Sequence, residues 1–456
     1  MDTTLAAAEV YDVLGVGFGP SNLALAIALD EHNGYVPADA AFRARFVERQ
    51  ARFGWHRGML IDGTTLQVSF LKDLVTMRNP TSRFSFVSYL HQMGRLTDFI
   101  NHKILFPSRV EFHDYLDWTA RQLNDLVSYD TTVTRIRPVA ASDQTYPLLE
   151  VSSTDGAGAH TTHLTRNVIL APGLRPHLPA GIETGDRIWH SSELMHRVDE
   201  LERRPPGRIT VVGAGQSAAE LTDYFHRTFP DAVVWSVFSR YGYSQSDDNP
   251  FANQIFDPDA VDDFFRAPEP TKQLMLDYHA NTNYSVVDLD LLNEIYRRTY
   301  DEKVRGRSRL HFVRMARVRS ARANATGVRI EVENLIDGTR PVIDADLLVF
   351  ATGYLPADPT VLLDGADRFC RRDRHGRVII DRDYRAVTVD GFSAGIYLLG
   401  SGTEHAHGLS ANLLSTVAIR AGEVVESLSK PDRRAWASSA ATGMSLKVEM
   451  PATTLK

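Results

Sequence analysis

A repetition limits what this chain can become. One stretch runs Val10-Tyr11-Asp12-Val13-Leu14, then Gly15-Val16-Gly17-Phe18-Gly19-Pro20-Ser21, then an apolar helical run from Asn22 to Leu29. Another runs Arg208-Ile209-Thr210-Val211-Val212, then Gly213-Ala214-Gly215-Gln216-Ser217-Ala218, then a helical run from Ala219 to Phe229. Each is a β-branched strand, a glycine turn and a helix, the opening of a dinucleotide-binding βαβ unit. The glycines admit backbone angles and close approaches closed to other residues. The helix start then offers free N–H groups and a partial positive charge to a pyrophosphate. One such turn alone is weak evidence, since a tight strand-to-helix turn without a ligand looks the same, and Pro20 holds the third glycine place of the first copy. Two copies in the same context make the ligand-free reading much less attractive. The fold class expected is α/β, with two Rossmann-like dinucleotide-binding domains.

The strand after each helix differs in its last residue. The first, Arg45-Phe46-Val47-Glu48, ends in a carboxylate that can accept both ribose hydroxyls of an adenosine, as FAD or NAD requires. The second, Val233 to Phe238, ends in Ser239-Arg240, and a hydroxyl and a guanidinium suit the 2′-phosphate of NADPH. Singly, each charge reads equally as a solvated strand end. Buried-type strands, Asn167 to Gly173 and Leu347 to Tyr354, flank the second turn, and Ile396 to Gly400 reads as a further strand before a helical run from Leu413 to Ser427. The second unit is therefore expected as an insertion in the first. The boundaries expected are 1–180 for the first part of the FAD domain and 205–340 for the inserted NADPH domain with substrate-binding segments. Residues 345–430 would return to the FAD domain and cap the substrate, and 431–456 would form a loose tail.

Composition excludes several function classes. With 50 basic and 57 acidic residues the formal charge is −7, which gives no general pull on nucleic acid or anionic lipid. Apolar residues at 43% suffice for a large core. The single cysteine, Cys370, allows no internal disulfide and no Cys-x-x-Cys zinc or redox site, and no metal site is expected. The start carries no basic targeting region. The apolar run Val13–Leu29 is interrupted by glycine, proline and asparagine and is shorter than the ~20 residues of a membrane span, so a cytoplasmic protein is expected.

Further motifs carry a family resemblance. Besides Gly15 to Asn22 and Gly213 to Glu220, they are Trp55-His56, Gln67 to Leu74 (Q-V-S-F-L-K-D-L), Asn249 to Phe256, Asn281 to Val287, Ala351 to Tyr354, and His407 to Ser415. In this order, from about residue 10 to about 428, the chain closely resembles the flavin-dependent N-hydroxylating monooxygenases, the ornithine and lysine N-monooxygenases of siderophore biosynthesis. The resemblance implies that NADPH reduces FAD, that the flavin takes up dioxygen as a C(4a)-hydroperoxide, and that a neutral primary amine attacks its distal oxygen. It also implies a homo-oligomer, a tetramer being usual among relatives.

The same resemblance implies site roles. Lys72 would bind the substrate carboxylate, with Asn253, Gln254, Ile255, Phe256, Asn283 and Ser415 on the substrate. Gln67 would lie against the isoalloxazine, Trp55 and His56 would cover the FAD, Arg109 would meet its phosphates or ribityl chain, and Asn412, Leu413 and Leu414 would form its far wall. Gln216, Ser217, Asn283, Tyr284 and Ser285 would touch NADP. No obligatory catalytic acid or base is expected, because alignment of the amine can supply most of the acceleration.

Arg78-Asn79-Pro80 resembles the ornithine branch more than the lysine or diamine branches, and L-ornithine is the preferred amine. One methylene separates it from lysine, worth only ~1–3 kcal/mol of discrimination. L-Lysine, putrescine and cadaverine are the alternatives. A flavin-binding regulatory protein without turnover is the non-enzymatic one. Baeyer–Villiger enzymes carry a Phe, Gly and His motif that Gly185 to His190 does not match, and disulfide reductases need a cysteine pair.

Overall fold

The computed structural model describes residues 9–430, so the expected tail, 431–456, lies outside the described residues. Strand β1 (Val10–Val16) runs parallel to β2 (Ala44–Val47) on one side. The short β3 (Val127–Ser128) extends the sheet beyond β2. Strands β4 (Thr131–Val139) and β5 (Leu148–Asp155) form an antiparallel pair that leads into β6 (His160–Leu170). The upper half of β6 lies parallel to β1 on its other side, while its lower half pairs with β5. The helix after β1 spans Pro20–Tyr35, and Asn22 to Leu29 are all buried. It is covered by the sheet and by helix Val417–Ser429, which explains a run apolar on every side. Each fully buried leucine or isoleucine there is worth roughly 1.5–3 kcal/mol.

The chain crosses to the second unit through β7 (Leu174–Pro176). It then forms β8 (Ile188–His190), β9 (Arg208–Val212), β10 (Val233–Val237) and β11 (Leu310–Val313). Strands β12 (Ala316–Ala323), β13 (Val328–Asn334) and β14 (Val342–Ala345) make a separate antiparallel sheet, and β15 (Leu347–Phe350) returns to the parallel one. The parallel order is β11-β10-β9-β15-β8. The chain leaves through β16 (Tyr354–Pro356), antiparallel to β7, and β17 (Gly395–Leu398) rejoins the first sheet beside β6.

This topology corrects the expected boundaries. Strands β8 and β15 belong to the second sheet, so the inserted unit reaches past 205–340 on both sides, and residues 347–350 are not part of the FAD domain's return. Three-residue β8 is too short to carry a periodic signal, and the all-buried Leu347–Phe350 fits the interior of either sheet. The C-terminal helix is also shorter than its sequence run. It starts at Val417, after single turns at Leu409–Asn412 and Leu414–Thr416. The buried Arg420 donates to the carbonyls of Ala411 (2.5 Å) and Leu413 (3.4 Å), which takes those acceptors from a helical ladder. Among the described residues no helix is long and apolar enough to cross a membrane.

Candidate active site

Both strand orders reverse beside the strand that enters the glycine turn, between β1 and β6 and between β9 and β15. Open parallel sheets bind ligands in the crevice at that reversal. In each crevice the following strand's last carbonyl presses on a glycine. A side chain at Gly17 (φ +84°) would meet the Ala171 carbonyl oxygen at 2.5 Å, and one at Gly213 (φ +144°) would meet that of Ala351 at 2.3 Å. Asn22 holds the first turn by donating to the Gly17 carbonyl (2.7 Å). Neither helix start, after Gly19 or after Gly215, carries a side-chain cap, so its N–H groups stay free for an anion.

Glu48 stands at the end of β2, 6% exposed, and accepts from the backbone N–H groups of Phe18 (2.6 Å) and Gln50 (2.8 Å). That fixes the carboxylate beside the glycine turn with lone pairs to spare. Arg240 donates to the Ser285 carbonyl (3.0 Å) and lines a cavity of about 1330 Å³. Such a volume exceeds the ~300–1,000 Å³ of an ordinary small-molecule pocket. Its wall takes Gly213 to Ser217 from the second turn, Asn283, Tyr284 and Ser285 from the next loop, and Gln67, Asn412 and Leu413 from the first unit.

A polar chain ties these walls together. Asp288 accepts from Gln67 (3.0 Å) and Gln216 (2.9 Å), and its own N–H donates to Gln216 (2.9 Å). Burial pushes its carboxyl above the usual range. Asp288 stands at the N-cap of helix Leu289–Val304 but makes no capping bond, because one oxygen is spent on Gln67 across the cleft and the other on Gln216 of the second turn. Arg109 clamps Glu220 through two bonds of 2.9 and 2.6 Å. Arg109, expected on the FAD phosphates or ribityl chain, is here paired with a carboxylate only 3% exposed, which needs a cation.

The other expected residues fall into groups. Lys72 lies half-buried in a turn, and its ammonium has no ion-pair partner among the described residues. The turn is pinned by buried Asp73, which accepts from the N–H groups of Val75, Thr76 and Phe86. Asn253 donates to the Asp248 carbonyl (2.8 Å) in the turn Ala252–Phe256, which packs against Leu409–Asn412. Phe256 is buried and Gln254 exposed, while Ile255 lines a separate crevice with His407 and Leu409. Ser415 is 4% exposed and its hydroxyl has no hydrogen-bond partner among the described residues. Leu414 is half-buried beside it. Trp55 packs edge-on to His56 and Phe112. Lys72, Asn253 and Ser415 do not line the large cavity. Sequence reading missed Asp288, Glu220 and Glu404. Asp288 and Glu404 lie outside every motif read from the sequence and Glu220 only closes one, so their distant partners alone give them away.

The L-lysine 6-monooxygenase/L-ornithine 5-monooxygenase family matches residues 9–356. The chain belongs to that family. An L-ornithine N(5)-monooxygenase of Burkholderia cepacia is 39% identical over 410 residues, covering 88% of this chain and 90% of that one. The ornithine N-hydroxylase of Kutzneria sp. 744, solved with reduced FAD, NADP⁺ and L-ornithine, superposes with a TM-score of 0.88 at 46% identity, over 92% and 99% of the two chains. The L-lysine 6-monooxygenase of Pseudomonas syringae gives 0.80 at 32% identity, again over 92% and 99%.

Proposed function

We propose that this family member is an L-ornithine N(5)-monooxygenase that uses FAD and NADPH, working toward hydroxamate siderophores. The observation that carries the reading is the pair of glycine turns opening on one cleft, in a chain 46% identical to an ornithine hydroxylase solved with all three ligands. Uncapped helix starts, a fixed Glu48 and an open Arg240 fit two dinucleotides of different kinds. When bound, FAD and NADPH supply the electrons and the activated oxygen atom that turn a primary amine into a hydroxylamine, with water as the second product.

The chain's own work is binding and exclusion. An alkyl ammonium keeps its proton to a pKa near ~10.4, and only the neutral amine is nucleophilic. A cleft that strips water from the amine favours that neutral form. Lys72, without an ionic partner, is suited to the ornithine carboxylate, since a buried carboxylate needs a cation. The unpartnered Ser415 hydroxyl and the Asn253 and Asn283 amides would orient the remaining polar groups. Gln67, held by Asp288, would face the flavin ring, with Trp55 and His56 over the cofactor.

Ornithine is preferred over lysine because the ornithine enzyme is the nearer of the two structural relatives, 46% against 32%. The proposal includes a cytoplasmic homo-oligomer. A lone cysteine suits a reducing compartment, and Tyr296, Tyr300 and Val304 give helix Leu289–Val304 an exposed apolar stripe for a second copy. The test is hydroxylamine formation with NADPH and air across ornithine, lysine, putrescine and cadaverine. Ornithine should lead by at least tenfold; lysine or a diamine leading would replace the substrate, and no product from any would end the proposal.

A further inference from the structure

Among the described residues two carboxylates line the large cavity, Asp358 and Glu404. Asp358 is occupied locally, accepting from the N–H (2.9 Å) and hydroxyl (2.7 Å) of Thr360 in the turn it caps. Glu404 serves no local turn. One of its oxygens accepts from the Tyr284 phenol and from the Asn412 amide (2.9 Å), and that amide also lies 3.4 Å from the phenol oxygen. These donors come from opposite walls. Tyr284 follows the turn Ala280–Thr282 on the second unit's side, and Asn412 ends the turn Leu409–Asn412 on the first unit's side.

On the second unit's side the Tyr284 loop is anchored by backbone bonds of Val287 with Ser244 and Ser246, each 3.0 Å. Ser285 next to Tyr284 sits at φ +56°, a left-handed backbone that a serine adopts at a cost. The Ser285 carbonyl takes Arg240, the Asn281 carbonyl takes the Asp247 N–H (3.0 Å), and Asp288 further on meets Gln67. Tyr284 is 39% exposed, with its ring on the open cavity. Two carboxylates thus cross the cleft here, Asp288 to Gln67 at the loop's far end and Glu404 to Tyr284 in the loop itself.

We propose that Glu404 is a positioning residue that latches the Tyr284 loop to Asn412 across the cleft, and that this closed latch retains the bound nicotinamide dinucleotide. The inference rests on the two-nucleotide reading above and adds the group that holds the second nucleotide in place. It requires no proton or electron transfer by Glu404. Loss of the carboxylate should free the loop, raise the escape of the dinucleotide and leave the glycine turns intact.

Equilibrium binding of NADP⁺ to the flavin-loaded protein, without turnover, reads this directly. E404A and Y284F should each lose about tenfold in NADP⁺ affinity, about 1.4 kcal/mol. The double variant should lose no more than E404A alone, because both remove one interaction. E404Q, which can still accept from the phenol, should fall between wild type and E404A. Unchanged affinity in either single variant, or losses that simply add, would overturn the latch. Amide hydrogen exchange of residues 280–285 in dinucleotide-free protein keeps the two readings apart. Faster exchange there in E404A supports the latch even if wild type bound no NADP⁺, a result that would defeat the two-nucleotide reading instead. Unchanged exchange overturns the latch.

Discussion

The two glycine turns share a plan and differ in what surrounds them. Gly17 and Gly213 each sit against a backbone carbonyl, and the helix starts at Gly19 and Gly215 meet nothing closer than the Ser285 backbone at 3.3 Å, so the turns themselves are alike. The difference lies at the end of the next strand. At the first turn Glu48 is fixed by two backbone N–H groups. At the second Arg240 reaches one carbonyl beside a wide cavity. On the proposed function, the identity of the strand-end residue, carboxylate or guanidinium, would separate two ligands that the backbone alone would treat alike.

The largest effect should come from the glycines. G17A forces a side chain onto a carbonyl at a left-handed residue, and strain of this kind costs about 1–3 kcal/mol. G17A should purify without flavin colour, whereas G213A should keep its flavin and lose NADP⁺ binding. Flavin absorbance and NADP⁺ titration check both, and a G213A protein that sheds flavin first would erase the distinction between the turns. Next is K72A, expected to raise the ornithine KM by about 30-fold or more, the cost of an unpaired buried carboxylate, while oxidation of NADPH stays nearly intact. Steady-state kinetics with ornithine varied would show it, and an unchanged KM removes Lys72 from the substrate.

R240A should weaken NADPH by about tenfold and NADH hardly at all, since only the former offers a 2′-phosphate to the fork. Equal losses in paired KM measurements would mean that Arg240 does not read that phosphate. A separate effect, on stability rather than on binding, concerns His407, 1% exposed, whose pKa is lowered from 6.5 to about 3 by burial. Between those values the unfolded chain binds the proton and the folded one does not. Stability should therefore fall as pH drops from 6.5 toward 3, and H407Q should show a shallower fall in urea titrations over that range.

Much of this was legible in the residues because it is local. The glycine turns, the strands before them and the buried β17 each announce themselves within a few positions. Helix Pro20–Tyr35 was read too short, because its later turns lose the apolar pattern once they pass the sheet. What stayed hidden joins distant positions. Gln67 meets Asp288 across 221 positions and Arg109 meets Glu220 across 111, so neither the cleft's polar chain nor the Arg109–Glu220 ion pair has a local signature. Lys72 shows the limit from the other side. Its residue type and turn say only that a lysine is half-buried, and its role was drawn from family likeness rather than from any contact.

The most direct test is turnover with NADPH and L-ornithine under heavy-isotope dioxygen, followed by mass analysis of the product. N-hydroxyornithine should carry one heavy oxygen atom, in proportion to the NADPH consumed. If NADPH is oxidised while ornithine is recovered unchanged, with all the heavy oxygen in peroxide, the cleft does not join an activated oxygen to an amine.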